Sequence, residues 1–212
     1  MRWAFSTSVA VFCAALSGCT YQVQTVSAPQ LNVYSNYTDK VPGKWALVVD
    51  DGAFNQAVHS EGLACGAHSF PLDLTATFKQ SAIATFQNIT GDVDVLDRPI
   101  PIEGLAAGGY SGSIEIKADN MSVRLNMIPG FWSAKADADI ELDAGLIATG
   151  PKGRLVGTRA SGRGHESSDA GSMCSGSTTA IEHAAESAMR ALLGELGERF
   201  SNAPQVRTPP AH

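Results

Sequence analysis

The sequence predicts an α+β domain: an antiparallel sheet of about four to six strands with two amphipathic helices on one face. Three observations carry that expectation. Trp132, Ala134, Ala136, Ala138, Ile140 and Leu142 alternate with Ser133, Lys135, Asp137, Asp139 and Glu141, the period of a half-buried antiparallel strand with one wet face. Two stretches, Leu74, Phe78, Ala82, Phe86, Ile89 and Ile181, Ala185, Ala188, Leu192, Leu196, Phe200, place apolar residues at helical spacing, so each buries one stripe. The chain has 212 residues, 44% of them hydrophobic and 17% charged, which is enough apolar material for one core and hardly for two.

The elements follow in order. Residues 20–41 are polar and mixed, with Pro29 inside and Pro42 just beyond, and read as a tether; Gln30–Tyr34 within it could form a short edge strand. Trp45–Val49 is a compact apolar run, the pattern of a strand buried on both faces. A loop is expected from Asp51 to Phe70, then a helix over 72–89, with Pro71 tolerated near its start and Gly91 placed to end it. Val93 and Val95 alternate with Asp92 and Asp94, and Pro99 and Pro101 stop that strand. Ile114 and Ile116 mark the next strand, Asp119-Asn120 a turn, and Val123, Leu125 and Met127 a further strand. The long alternation comes next, then a turn at Gly150–Gly153 and a returning strand that starts at Leu155 and runs to about Arg163. A Gly- and Ser-rich loop spans 161–177. Thr179 and Glu182 have the spacing of a capping box for the last helix.

Composition excludes some partners. The net charge is −6 and no basic block is present, so nucleic acid, which needs clustered Lys and Arg, is not an expected partner. Gly171–Thr178 approaches a phosphate loop but has Ser177 where the lysine belongs, so no nucleotide is expected. Neither G-x-S-x-G nor H-E-x-x-H occurs, and Gly109–Ser113 and His183 with Glu182 and Glu186 read as a strand start and an exposed helix face. Asp50, Asp51, Asp92, Asp94 and Asp97 lack the calcium-loop pattern and read as solvated strand edges. Arg154, Arg159 and Arg163, with Lys152 close by, form a strip that Asp137, Asp139 and Glu141 can balance across the hairpin. No enzyme activity and no cofactor are expected.

The leader sets the compartment. Met1-Arg2 is followed by an uncharged, largely apolar run from Trp3 to Leu16, too short for a bilayer span, which needs about 20 residues, but of signal-peptide size. Leu16-Ser17-Gly18-Cys19 resembles the lipobox of bacterial lipoproteins, in which the cysteine is acylated and becomes the new N-terminus. That resemblance implies lipidation at Cys19, and Thr20 in place of Asp implies the periplasmic side of the outer membrane. Residues 1–18 thus read as signal peptide, 19–42 as lipidated cysteine and tether, 43–200 as the globular domain and 201–212 as a flexible tail. The order of elements from Trp45 to Phe200 resembles small envelope lipoproteins of the YajG type and of lipopolysaccharide transport, which implies a non-enzymatic role in binding or scaffolding an envelope protein or glycolipid.

Of the four cysteines, Cys13 leaves with the signal and Cys19 takes the lipid. Cys65 and Cys174 remain, and an oxidising periplasm favours a disulfide between them. The alternative is a zinc site on Cys65, His68, His165 and Cys174, two N/S pairs that could complete a tetrahedron. A third possibility is a small-lipid carrier with Phe78, Phe86, Trp132 and Phe200 lining a pocket.

Overall fold

The computed structural model describes residues 21–22, 25–33, 39–61, 65–131, 133–171 and 174–207. The signal segment, Cys13, Cys19, Tyr34, Trp132 and the tail from residue 208 lie outside them.

The domain is α+β. Strands β1 (Tyr21–Gln22), β2 (Val41–Asp50), β3 (Asn55–Glu61) and β4 (His68–Asp73) precede helix α1 (Thr75–Ile89); β5 (Thr90–Val95) and the short α2 (Ile102–Ala107) follow. Three long strands, β6 (Gly112–Pro129), β7 (Ala134–Gly150) and β8 (Gly153–Asp169), lead into α3 (Gly176–Ser201) and one turn of α4 (Pro204–Arg207).

The expected antiparallel sheet is instead mixed, and larger, with eight strands among the described residues. β6, β7 and β8 are antiparallel neighbours. On its other edge β6 takes two parallel partners in succession, β2 opposite Gly112–Lys117 and β3 opposite Leu125 and Asn126. β5 lies parallel to β2, and β1 parallel to β4. The reason for the parallel pairs is connection length: β2 and β5 are separated by a hairpin and a helix, enough chain for the crossover that parallel pairing requires.

Several local expectations are corrected. The loop expected over 51–70 holds the β3–β4 hairpin. Pro71 lies in β4 opposite Ala57 rather than in a helix, and α1 starts at Thr75, where the Asp73 carboxylate accepts hydrogen bonds from the Thr75 amide and hydroxyl. The turn expected at Asp119-Asn120 is a bulge within one continuous strand. The Gly/Ser-rich loop is strand as far as Asp169, and α3 begins at Gly176, so Thr179 and Glu182 lie inside the helix and form no capping box. Part of the expected tether is packed: Val26, Ala28 and Leu31 are buried, and Val26 bridges to Leu72. Val206 of α4 is buried too, so the expected tail begins later than residue 201.

Both long helices cover one face of the sheet. Trp45 of β2 and Phe86 of α1 each meet Phe200 of α3 edge-on, with centroids 5.3 and 5.5 Å apart, a geometry that favours aromatic pairs beyond their area burial. Phe54 and Phe78 make a similar pair at 4.7 Å. Against β7 and β8 the contact is made by small residues. Ala136, Ala138, Ala144 and Ala148 of β7, and Ala184, Ala185 and Ala188 of α3, are all buried. Gly162 and Gly164 bring the β8 backbone directly against α3: a Cβ on Gly164 would lie 2.8 Å from both the Ala184 carbonyl carbon and the Ala188 amide nitrogen.

Candidate functional site

With the helices on one face, the other face of β6–β7–β8 is left to its outward side chains. Strand pleating sends alternate residues outward, and the register aligns them in rows: Arg124–Asp139–His165, Ser122–Glu141–Arg163 and Asn120–Asp143–Ser161. The acids sit on the central strand, the cations on its flanks. Arg163 donates to one Glu141 oxygen from Nη2 at 2.7 Å and Nε at 3.0 Å. Arg159 pairs with Asp119 at 3.2 Å, and Ser161 donates to Asp143. The basic strip of Arg159 and Arg163 is therefore balanced by acids, as the sequence suggested, although Arg159 finds its partner on β6. Ser122, Arg124, Asp139, Glu141, Arg163 and His165 line a shallow cleft of about 550 Å³.

His165 is held between two carboxylates. Its Nδ1 lies 3.0 Å from Asp139 Oδ1 and its Nε2 lies 3.4 Å from Asp137 Oδ1. The hydrogen bond to Asp139, then the charge of Asp137, raises its pKa above the ordinary 6.5. Asp137, Asp139 and His165 could together hold a cation. The Nε2–Oδ1 separation is of the order of a ligand–ligand edge in a tetrahedral site with bonds of about 2.0–2.1 Å.

The structure does not assemble the four-residue zinc set. Cys65 and Cys174 are joined to each other as a disulfide, with Cα atoms 6.1 Å apart. Both residues adopt left-handed backbone, at φ 61° and 62°, which is uncommon for a residue with a side chain. His165 is on the outer sheet face with the aspartates, while His68 follows the turn at Cys65, its amide donating to the Cys65 carbonyl. The carrier reading also loses its lining: Phe78, Phe86 and Phe200 are fully buried in the core, packed in the ring pairs above.

A second polar cluster ties β2, β5 and the loop before β6. Asp94 receives Lys44 Nζ and the Tyr110 hydroxyl, each at 2.7 Å. Those hydrogen bonds, from Lys44 first and then Tyr110, hold its carboxyl below the usual 3.8. Lys44 also lies 5.0 Å from the centre of the Tyr110 ring. Asp94 thus ties β5 to β2 and to the loop before β6.

No family model matches the chain. No curated protein matches it either. Solved structures similar in chain path include a DUF330 family protein from Xanthomonas campestris, at 12% identity and TM-score 0.47, with 89% of this chain and 99% of that one covered. A hypothetical protein from Chlamydia trachomatis aligns at 9% identity and TM-score 0.44, over 76% of this chain and 97% of that one. A neuraminyllactose-binding hemagglutinin homologue from Helicobacter pylori aligns at 9% identity and TM-score 0.43, over 79% and 89%. Likenesses at this level decide no activity.

Proposed function

We propose that this protein is a lipid-anchored envelope protein, held through acylated Cys19 to the periplasmic side of the outer membrane, and that it binds or scaffolds another envelope component rather than catalysing a reaction. The observation that carries the reading is the lipobox Leu16–Cys19 set just ahead of a domain stapled by Cys65–Cys174, since structural disulfides belong to oxidising compartments. The outer face of β6–β7–β8 is the binding surface in this reading. Its charged rows on a rigid ladder suit a partner with alternating charge, an envelope protein or the head of a glycolipid. A metal-dependent hydrolase on Cys65 and Cys174 is not favoured, because a disulfide sulfur is no thiolate ligand.

The test is acylation. Expressed in a Gram-negative host with labelled palmitate, the chain should take up label and float with outer-membrane vesicles, and Cys19→Ser should do neither. An unlabelled wild-type chain in the soluble periplasmic fraction would refute the anchor. Purified in mild detergent, the lipidated chain should bring down a stoichiometric partner, and Glu141→Lys with Asp139→Lys should release it.

A further inference from the structure

The β6–β7 hairpin ends in an apolar tip. Ile128 is 49% exposed and Phe131 89% exposed, and the tip sequence is Ile128-Pro-Gly-Phe131-Trp132. Exposed aromatic and aliphatic side chains together at the end of a long rigid ladder are costly in water and suit a bilayer interface, where aromatic residues concentrate.

Topology places the lipid attachment at the same end. Tyr21 of β1 is level with His68 of β4. The register of β3 with β4, with His59 opposite Ser69, brings Ser60 level with His68 on the next rung. Ser60 in turn is level with Leu125 of β6. Tyr21 and Leu125 therefore share one row, three strand spacings or about 14 Å apart. Cys19 precedes Tyr21 by two residues, so the covalent chain keeps it within about 7 Å of that row. β6 ends at Pro129, four residues beyond Leu125, about 13 Å at strand rise, and Phe131 sits in the turn beyond it. The tip thus extends at least about 6 Å past Cys19, about the depth of the headgroup layer when Cys19 sits at its surface. The β7–β8 turn at Pro151-Lys152 is at the other end of β7, about 50 Å away at the same rise.

We infer that the β6–β7 tip, through Ile128 and Phe131, is a second membrane contact that inserts into the phospholipid leaflet beside the acyl chains of Cys19 and stands the sheet upright on the bilayer. The inference rests on the anchor reading above. Lys135, exposed and paired with Ile128 across the hairpin, is placed to meet lipid phosphate. Asp169 faces Lys135 in turn on β8, so apolar insertion rather than net charge supplies the contact.

The experiment uses the lipidated full-length chain in vesicles of phosphatidylethanolamine and phosphatidylglycerol that carry a bromolipid quencher. An environment-sensitive fluorophore is placed on Phe131→Cys or, for comparison, on Lys152→Cys, with the native disulfide intact. The expected result is at least twofold quenching and a blue shift at 131 and neither at 152, in neutral phosphatidylcholine vesicles as well. Protein that sediments with the vesicles yet shows no quenching at 131, as when a protein partner covers the tip, would overturn the inference and leave the anchor standing. Equal quenching at both sites would overturn it too, because the sheet would then have no fixed orientation. Protein with no acyl mass that stays in the supernatant would remove the anchor reading and this inference with it.

Discussion

Helix α3 lies directly against the β8 backbone, and Gly164→Ala tests that approach. A methyl at this position would sit 2.8 Å from two backbone atoms of α3 and closer still to the Ala184 carbonyl oxygen. Relief needs a shift of more than half an ångström, and the obstacle is helix backbone, which cannot rotate aside as a side chain would. Overfilling a packed interior costs about 1–3 kcal/mol, and the rigid neighbour puts this case at about 3 kcal/mol. For a domain of this size that corresponds to a melting temperature lower by roughly 6–12 °C. The control is Gly145→Ala on the outer face of β7, where the nearest atom to the new methyl is an Asp119 oxygen at 3.4 Å. That change should be neutral within about 0.5 kcal/mol. Urea unfolding of the Cys19→Ser chain, followed by circular dichroism, measures both. If the two variants unfold at the same urea concentration, the close packing of α3 on β8 is wrong. Gly162→Ala should resemble Gly164→Ala, and the double variant should cost less than the sum, because one displacement of the helix relieves both clashes.

Three further outcomes are expected. Reduction of Cys65–Cys174, which spans 109 residues of sequence, should lower stability by up to about 4.7 kcal/mol; a urea midpoint unmoved by reductant would contradict this. His165 is raised by Asp139 and then Asp137, so its contribution is complete below the unfolded value of 6.5 and fades as pH rises through the higher folded value; NMR titration should find that value above 6.5 and see Asp139→Asn lower it. Asp94 is depressed by Lys44 and then Tyr110, so its contribution holds above 3.8 and is lost as pH falls through the lower folded value; Asp94→Asn should therefore destabilise at neutral pH and be indistinguishable from wild type in acid unfolding below the folded value.

The parts of the fold legible in sequence were those written in a single local period. The stripe from Leu74 to Ile89 became α1, and the alternation through Ala134–Leu142 became β7. The uniform apolar run at Trp45–Val49 became the strand with neighbours on both edges. Pairing direction has no such local signature, so the parallel partners of β2 stayed hidden. Glycine misled in one place: Gly162 and Gly164 look like loop composition, yet they are the surface on which a helix rests. The candidate site was half legible. Asp137, Asp139 and Glu141 were placed opposite the arginines, but His165 was grouped with the cysteines. Counting rungs back from the turn at Gly150–Gly153, with the one-residue shift between Ala148 and Thr149, sets Asp139 across from His165. That shift is a bulge, which sequence alone does not announce.

The shared edge of β6 has a consequence for how the chain can assemble. Among the described residues, β2 with β5, and β3 with β4 and β1, are joined in the ladder only through β6. A chain emerging from its N-terminus therefore has no sheet to complete until residues 112–126 arrive, and the second cysteine comes later still. Contacts this distant in sequence make for slow folding. During that interval the Cys65 thiol has no partner cysteine and the apolar strand Trp45–Val49 lacks its β6 neighbour, so the thiol is open to oxidation and the strand to wrong pairing. Joining the two halves of the sheet therefore waits for β6, and closing the disulfide waits for Cys174.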